Sequence, residues 1–169
     1  MTIIVYMLLG IFLLYLLAQG FGLYLKKRGQ LPFDKEAVEK DGRKLVTNKY
    51  GRTIEYVVFG NQDENSPVIL TIHGSGPEAL CEVHFHNKAF TALKVKGISI
   101  SLPGYGYTDE KIGRKEKDWA TEDLEPVLDQ EGVDQFMIMG HSQGTVHAMA
   151  AAHHFSTLHW YGTKCPLIT

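Results

Sequence analysis

MIMGHSQGTV, residues 137–146, opens with residues that can finish a buried strand, passes through a glycine-flanked serine and enters a helix of small residues. Gly140-His141-Ser142-Gln143-Gly144 fits the pattern Gly-x-Ser-x-Gly, placed where a strand ends and a helix begins. A serine on so sharp a turn leaves no space for side chains two positions to either side. Glycines there let strand and helix approach while the hydroxyl projects above the sheet edge. The helix N-terminus beneath it offers backbone donors and positive potential to a developing oxyanion.

Working outward, the flanking sequence supplies a scaffold for that turn. RKLVTNKYGRTIEYVVFG reads as a hairpin of two β-branched and aromatic runs, with Gly51 supplying the turn. Val68 to Ile72 is continuously apolar, the pattern of a strand buried on both faces, and VKGISISLPG and QFMIMG repeat it. Between them HFHNKAFTALKV predicts a helix with Phe85, Phe90 and Leu93 on one face. DWATEDLEPVLDQEG, from Asp118, predicts a second helix that Gly132 stops and that Pro126 delays or bends. QGTVHAMAAAHHF is a third, alanine-rich helix. Alternating strands and helices imply an α/β fold, a mainly parallel sheet with helices on both faces.

Two loops test the expectation for Ser142. His73-Gly74-Ser75-Gly76-Pro77 follows the Val68 to Ile72 strand, and a glycine-rich loop there can turn a backbone N–H toward the reaction centre served by the N–H of Gln143. Leu102-Pro103-Gly104-Tyr105-Gly106-Tyr107-Thr108 follows the next strand and reaches the same sheet edge. The competing reading of each is an ordinary glycine turn.

The order strand, HGSGP, strand, LPGYGYT, helix, strand, GHSQG, helix resembles the α/β-hydrolase superfamily, especially cofactor-free members with an HG-type oxyanion loop, over residues 43 to 155. The resemblance implies that Ser142 is the nucleophile, with the backbone N–H groups of Gln143 and Ser75 as oxyanion donors. It assigns His73 and His141 to orienting loops, within a motif completed by Gly74, Gly140 and Gly144. It also implies no metal or organic cofactor, and hydrolysis of an ester, amide or related acyl bond through an acyl-enzyme. The family order is serine, Asp or Glu, then histidine. Here no acidic residue lies between Gln143 and Thr169. His147, His153 and His154 fall in the helix after the serine and read as surface or buried polar residues, while His159 comes too early for a late catalytic loop.

Domains of this type usually run to roughly 250 residues. The expectation is therefore that residues 43–169 are the N-terminal part of a hydrolase domain, with Trp160 to Thr169 a remnant of the next strand, inactive as it stands. The alternative class is an inactive hydrolase-fold membrane protein with a binding or assembly role. A nucleotide-binding domain is disfavoured, because neither G-x-G-x-x-G opening a helix nor G-x-x-x-x-G-K-[ST] occurs.

The N-terminus has another character. No charged side chain occurs from Met1 to Leu25, and the apolar run from Ile3 is long enough to cross a bilayer. Lys26, Lys27 and Arg28 follow it, so residues 1–28 read as a single-pass anchor with the domain on the cytoplasmic side and residues 29–42 as a tether. The alternative is a cleaved signal peptide and a secreted or luminal product. An anchor favours apolar, lipid-like acyl substrates. A net charge of -2 gives no footprint for nucleic acid. Two cysteines, Cys81 and Cys165, are read as free thiols, and no histidine and cysteine pair has zinc-like spacing.

Overall fold

The computed structural model describes residues 2–29 and 35–157. Two compact units separate near Lys35. The first is helix α1, Thr2–Gly29, in which every position from Val5 to Tyr24 is exposed. Its twenty residues Val5–Tyr24 have a mean hydropathy of 1.9, long and apolar enough to cross a membrane. The side chains of Lys26, Lys27 and Arg28 lie outside the described residues, as do His159, Cys165 and the strand expected at Trp160 to Thr169. Within the expected tether, residues 35–40 form a short helix, α2 (Lys35–Lys40), with Val38 buried.

The second unit is built on a five-stranded sheet. Its strands are β1 (Arg43–Thr47), β2 (Thr53–Gly60), β3 (Val68–Ile72), β4 (Lys96–Ile100) and β5 (Met137–Gly140). They lie in the order β1-β2-β4-β3-β5. The expected hairpin forms, with Gly51 at φ 80° and the Asn48 side-chain oxygen accepting from the N–H groups of Tyr50 and Arg52. The sheet, however, is mixed rather than mainly parallel. β2 is antiparallel to both β1 and β4, and only the β4-β3-β5 half is parallel. A strand pattern reports burial, not the direction of the neighbour, so β2 could not reveal this.

Alternation along the strands divides the core in two. Ile54, Tyr56, Leu70, Ile72, Ile98, Ile100 and Ile138 point to one face, where Trp119, Leu124, Val127 and Ala151 cover them. The other face carries α3 (Ala79–Ala92). There Gly97 leaves room for Phe59, since a Cβ at Gly97 would lie 2.4 Å from the Phe59 ring, and Phe59 stacks on Phe90 of α3 at 5.2 Å. Helix α3 begins earlier than the sequence suggests, and its buried positions are Ala79, Glu82 and Phe90. Phe85 and Leu93, expected beside Phe90, are both 72% exposed, because the face set by Ala79 and Phe90 turns them outward.

The helix expected from Asp118 is α4 (Glu116–Trp119), a π-helical turn at Ala120–Leu124 and α5 (Glu125–Glu131). Proline at 126 has no N–H to continue the α ladder. The N–H of Glu125 reaches back to the Ala120 carbonyl instead, five residues away, and the axis continues without a break. Gly132 ends the helix in the left-handed conformation at φ 62°. Helix α6 (Gln143–Thr157) follows β5 and buries Ala148, Ala151 and Ala152.

Candidate active site

The chain passes from β3 through α3 to β4 on one face, then crosses back over β3 through α4 and α5 on the other face to reach β5. Right-handed crossovers require that change of face when the direction reverses. The loops leaving β3 and β5 therefore diverge and open a crevice at the carboxyl ends of the strands, where ligands bind in open α/β sheets. Ile72 and Gly140 are register partners at that edge, and the His141 N–H donates to the Ile72 carbonyl at 3.0 Å.

Ser142 stands in this crevice, exposed and at φ 53°, a left-handed conformation that a residue with a side chain holds only when its surroundings impose it. The imposing bonds are those from the Gly144 N–H to the His141 carbonyl at 2.8 Å and from the Thr145 N–H to the Ser142 carbonyl at 3.0 Å. Gly140 and Gly144 admit the turn. A Cβ on Gly140 would lie 2.4 Å from the Gly144 carbonyl oxygen, and one on Gly144 would lie 2.2 Å from that of Ile72. As the first residue of α6, Gln143 presents an N–H with no intrahelical partner.

The loop after β3 closes against this turn. A Cβ on Gly74 would sit 3.1 Å from the Cβ of Ser142, so glycine permits backbone to lie beside the serine. The Ser75 hydroxyl donates to Gln143 Oε1 at 2.9 Å, and the Tyr105 hydroxyl donates to the same oxygen at 3.2 Å. The structure thus brings together Gly74, Ser75, Gly140, His141, Ser142, Gln143 and Gly144. Tyr105, from the third loop, joins them without having been singled out from the sequence.

His73 is fully buried and ties two loops together. Its Nδ1 lies 2.7 Å from the Gly74 carbonyl, which can only accept, and its Nε2 accepts from the Leu102 N–H at 2.9 Å. One tautomer satisfies both, so neither nitrogen is free to take a proton from Ser142. Burial pushes its pKa below the ordinary 6.5. A folded-state pKa lower than the unfolded one means that the unfolded chain binds more protons below about pH 6.5. Stability therefore falls as pH drops through that value, by up to about 1.4 kcal/mol per pH unit for this group. Buried His147 acts with the same sign, and Glu55 and Asp123, whose pKa values burial raises, act with the opposite one. Urea unfolding of the wild type and His73→Gln from pH 7.5 to 5.5 isolates the effect: the variant is expected to lose less stability on acidification.

The loop Leu102 to Thr108 hangs on Glu55, a carboxylate at 0% exposure in the middle of β2. It accepts from the Tyr107 N–H and from the Ser101 hydroxyl, the latter at 3.2 Å, and faces Arg43 Nε at 3.3 Å. Gly106 fits against it, since a Cβ there would meet Glu55 Oε2 at 2.3 Å. One acidic residue within the apolar run TIEYVVF was the available signal for this pair. On the other side, a largely apolar groove of about 720 Å³ runs from Pro77 and His141 past Met139 to Cys81 and Phe85.

Of the other histidines, His86 Nε2 lies 3.2 Å from Glu82 Oε2 in α3, both of them lining that groove, while His147 is buried in α6, His153 is exposed, and His154 lies 2.8 Å from Glu125 Oε1. Among the described residues no cluster of three or more His, Cys, Asp or Glu could hold a metal.

No protein-family model and no curated protein matches the chain. Similar solved structures include an epoxide hydrolase mutant from Vigna radiata, at 19% identity and TM-score 0.55 over 68% of this chain and 35% of that one. A Rhodococcus esterase matches at 23% identity and TM-score 0.55, over 69% of this chain and 42% of that one. An enol-lactonase from Burkholderia xenovorans matches at 18% identity and TM-score 0.58, over 67% and 42%. The chain thus spans 35% to 42% of the length of these three structures.

Proposed function

From the α/β-hydrolase fold that the chain shares with these structures, we propose that it carries the nucleophile half of a serine hydrolase acting on a small acyl substrate. The observation that supports this most directly is Ser142 at φ 53° between β5 and α6, with Gly74 packed against it. In the proposed reaction Ser142 Oγ attacks the acyl carbonyl carbon and its proton passes to a base. The leaving group departs, and water hydrolyses the acyl-enzyme. The N–H groups of Gln143 and Ser75 are the oxyanion donors, and His73 and His141 orient their loops.

His73 has both nitrogens engaged, and no acidic residue follows Gln143 in the sequence. The base is a group other than His73. Helix α1 anchors the domain to a membrane, with the domain on the cytoplasmic side, and an anchor favours lipid-like acyl compounds as substrates. The engagement of both His73 nitrogens by backbone favours a second reading, a hydrolase fold retained for binding or assembly without turnover.

Labelling with a fluorophosphonate separates the two. The full chain, folded in lipid nanodiscs, is expected to be labelled slowly, and Ser142→Ala to lose all labelling. A folded wild type that stays unlabelled removes the hydrolase reading and favours the binding protein.

A further inference from the structure

His147 lies on α6, five positions beyond Ser142, and is 1% exposed. Its Nδ1 is 3.2 Å from the Gln143 carbonyl, which can only accept, so the proton sits on Nδ1 and Nε2 presents a lone pair. That Nε2 is buried without a partner. The indole of Trp119, at the end of α4 and 3% exposed, is in the complementary condition, because Nε1–H only donates and is also buried without a partner. The two rings meet edge to face with centroids 5.5 Å apart.

Both side chains line one cavity of about 10 Å³, together with Pro103, Arg114, Asp118 and Asp123. Two of these walls are already engaged: Arg114 donates to the Pro103 carbonyl, and Asp123 accepts from Arg52. Of the buried side-chain nitrogens and oxygens in this lining, the Trp119 donor and the His147 acceptor are the two without a partner, around a space the size of a single water. Native proteins rarely leave such a pair unsatisfied.

We propose that Trp119 and His147 bind one buried water, which accepts from the indole and donates to the imidazole. The water joins α4, just before its π-helical turn, to the helix that carries the serine elbow. It adds a hydrogen-bonded link between α4 and α6 beside the ring contact of Trp119 with His147.

The test is water-selective cross-relaxation in the full chain, ¹⁵N-labelled at tryptophan and held in lipid nanodiscs, with Trp119→Phe identifying the indole resonance. A cross-peak between the Trp119 indole proton and water is expected. It should be lost in His147→Leu, which removes the acceptor and fills the cavity, while the indole resonance persists. A wild type without the cross-peak overturns the proposal, and so does a cross-peak that survives in His147→Leu. If His147→Leu does not fold, the ¹⁵N resonance of His147 Nε2 provides the second measurement. It is expected to change in Trp119→Phe, and an unchanged resonance overturns the water bridge.

Discussion

Gly144→Ala is expected to destabilise the domain by about 3 kcal/mol, enough to unfold much of a marginally stable protein. The added Cβ would lie 2.2 Å from the Ile72 carbonyl oxygen and 2.7 Å from that of His73. Both obstacles are backbone at the end of β3 and just beyond it, so no side-chain rotation relieves them. The Ile72 carbonyl also accepts from the His141 N–H, and moving it breaks the bond that aligns the elbow. Gly76→Ala is the control. A Cβ there meets nothing within 4 Å, and only its φ of 98° penalises alanine, by about 1 kcal/mol. Urea unfolding of the two variants should rank them in that order. Equal losses would mean that helix and strand are not in the contact described.

The second large effect concerns Glu55. Glu55→Ala is expected to cost about 3 kcal/mol, because it leaves the Tyr107 N–H and part of the Arg43 guanidinium without their partner in a buried setting. Arg43 keeps Glu78 and Asp41, which holds the loss to the lower end of the range for a broken buried pair. Glu55→Gln retains an acceptor for Tyr107 and is expected to cost about 1 kcal/mol. The same variants report on the site. The loop that Glu55 holds carries Tyr105 to Gln143, so Glu55→Ala should also quicken hydrogen exchange of the Leu102 and Tyr107 amides. Unfolding curves for the two variants that coincide would show that Glu55 does not fix this loop.

The sequence made some of this legible and concealed the rest for identifiable reasons. Periodicity and glycine placement were enough for the hairpin around Gly51, the strands at Val68 and Met137, and the turn at Ser142, because each rests on residues close together in the chain. The direction of β2 is a property of its neighbours and leaves no mark on its own residues. The exposure of Phe85 and Leu93 depends on which stripe of α3 meets Phe59 and Gly97, a choice made by the sheet. Pro126 was recognised as a disturbance. Its resolution, a single π-helical turn, depends on how the Glu125 N–H finds a carbonyl and not on composition. At the site, Gln143 and Ser75 were chosen for their backbone N–H groups. That their side chains also bond to each other, and to Tyr105, follows from three loops meeting at one edge.

That meeting also has a consequence in time. The bond from Ser75 to Gln143 spans 68 residues, and the register pair of Ile72 with Gly140 joins the same two distant segments. Between them the chain must first lay down α3, β4, α4 and α5, and the entropy of closing so long a loop is repaid only when β5 docks on β3. The contacts that join the serine turn to the Gly74 loop therefore form only when these two distant segments meet. A nascent chain that has emerged only through Gly132 holds the Gly74 loop but no elbow to receive it, so any reactivity of the serine appears together with the completed parallel half of the sheet.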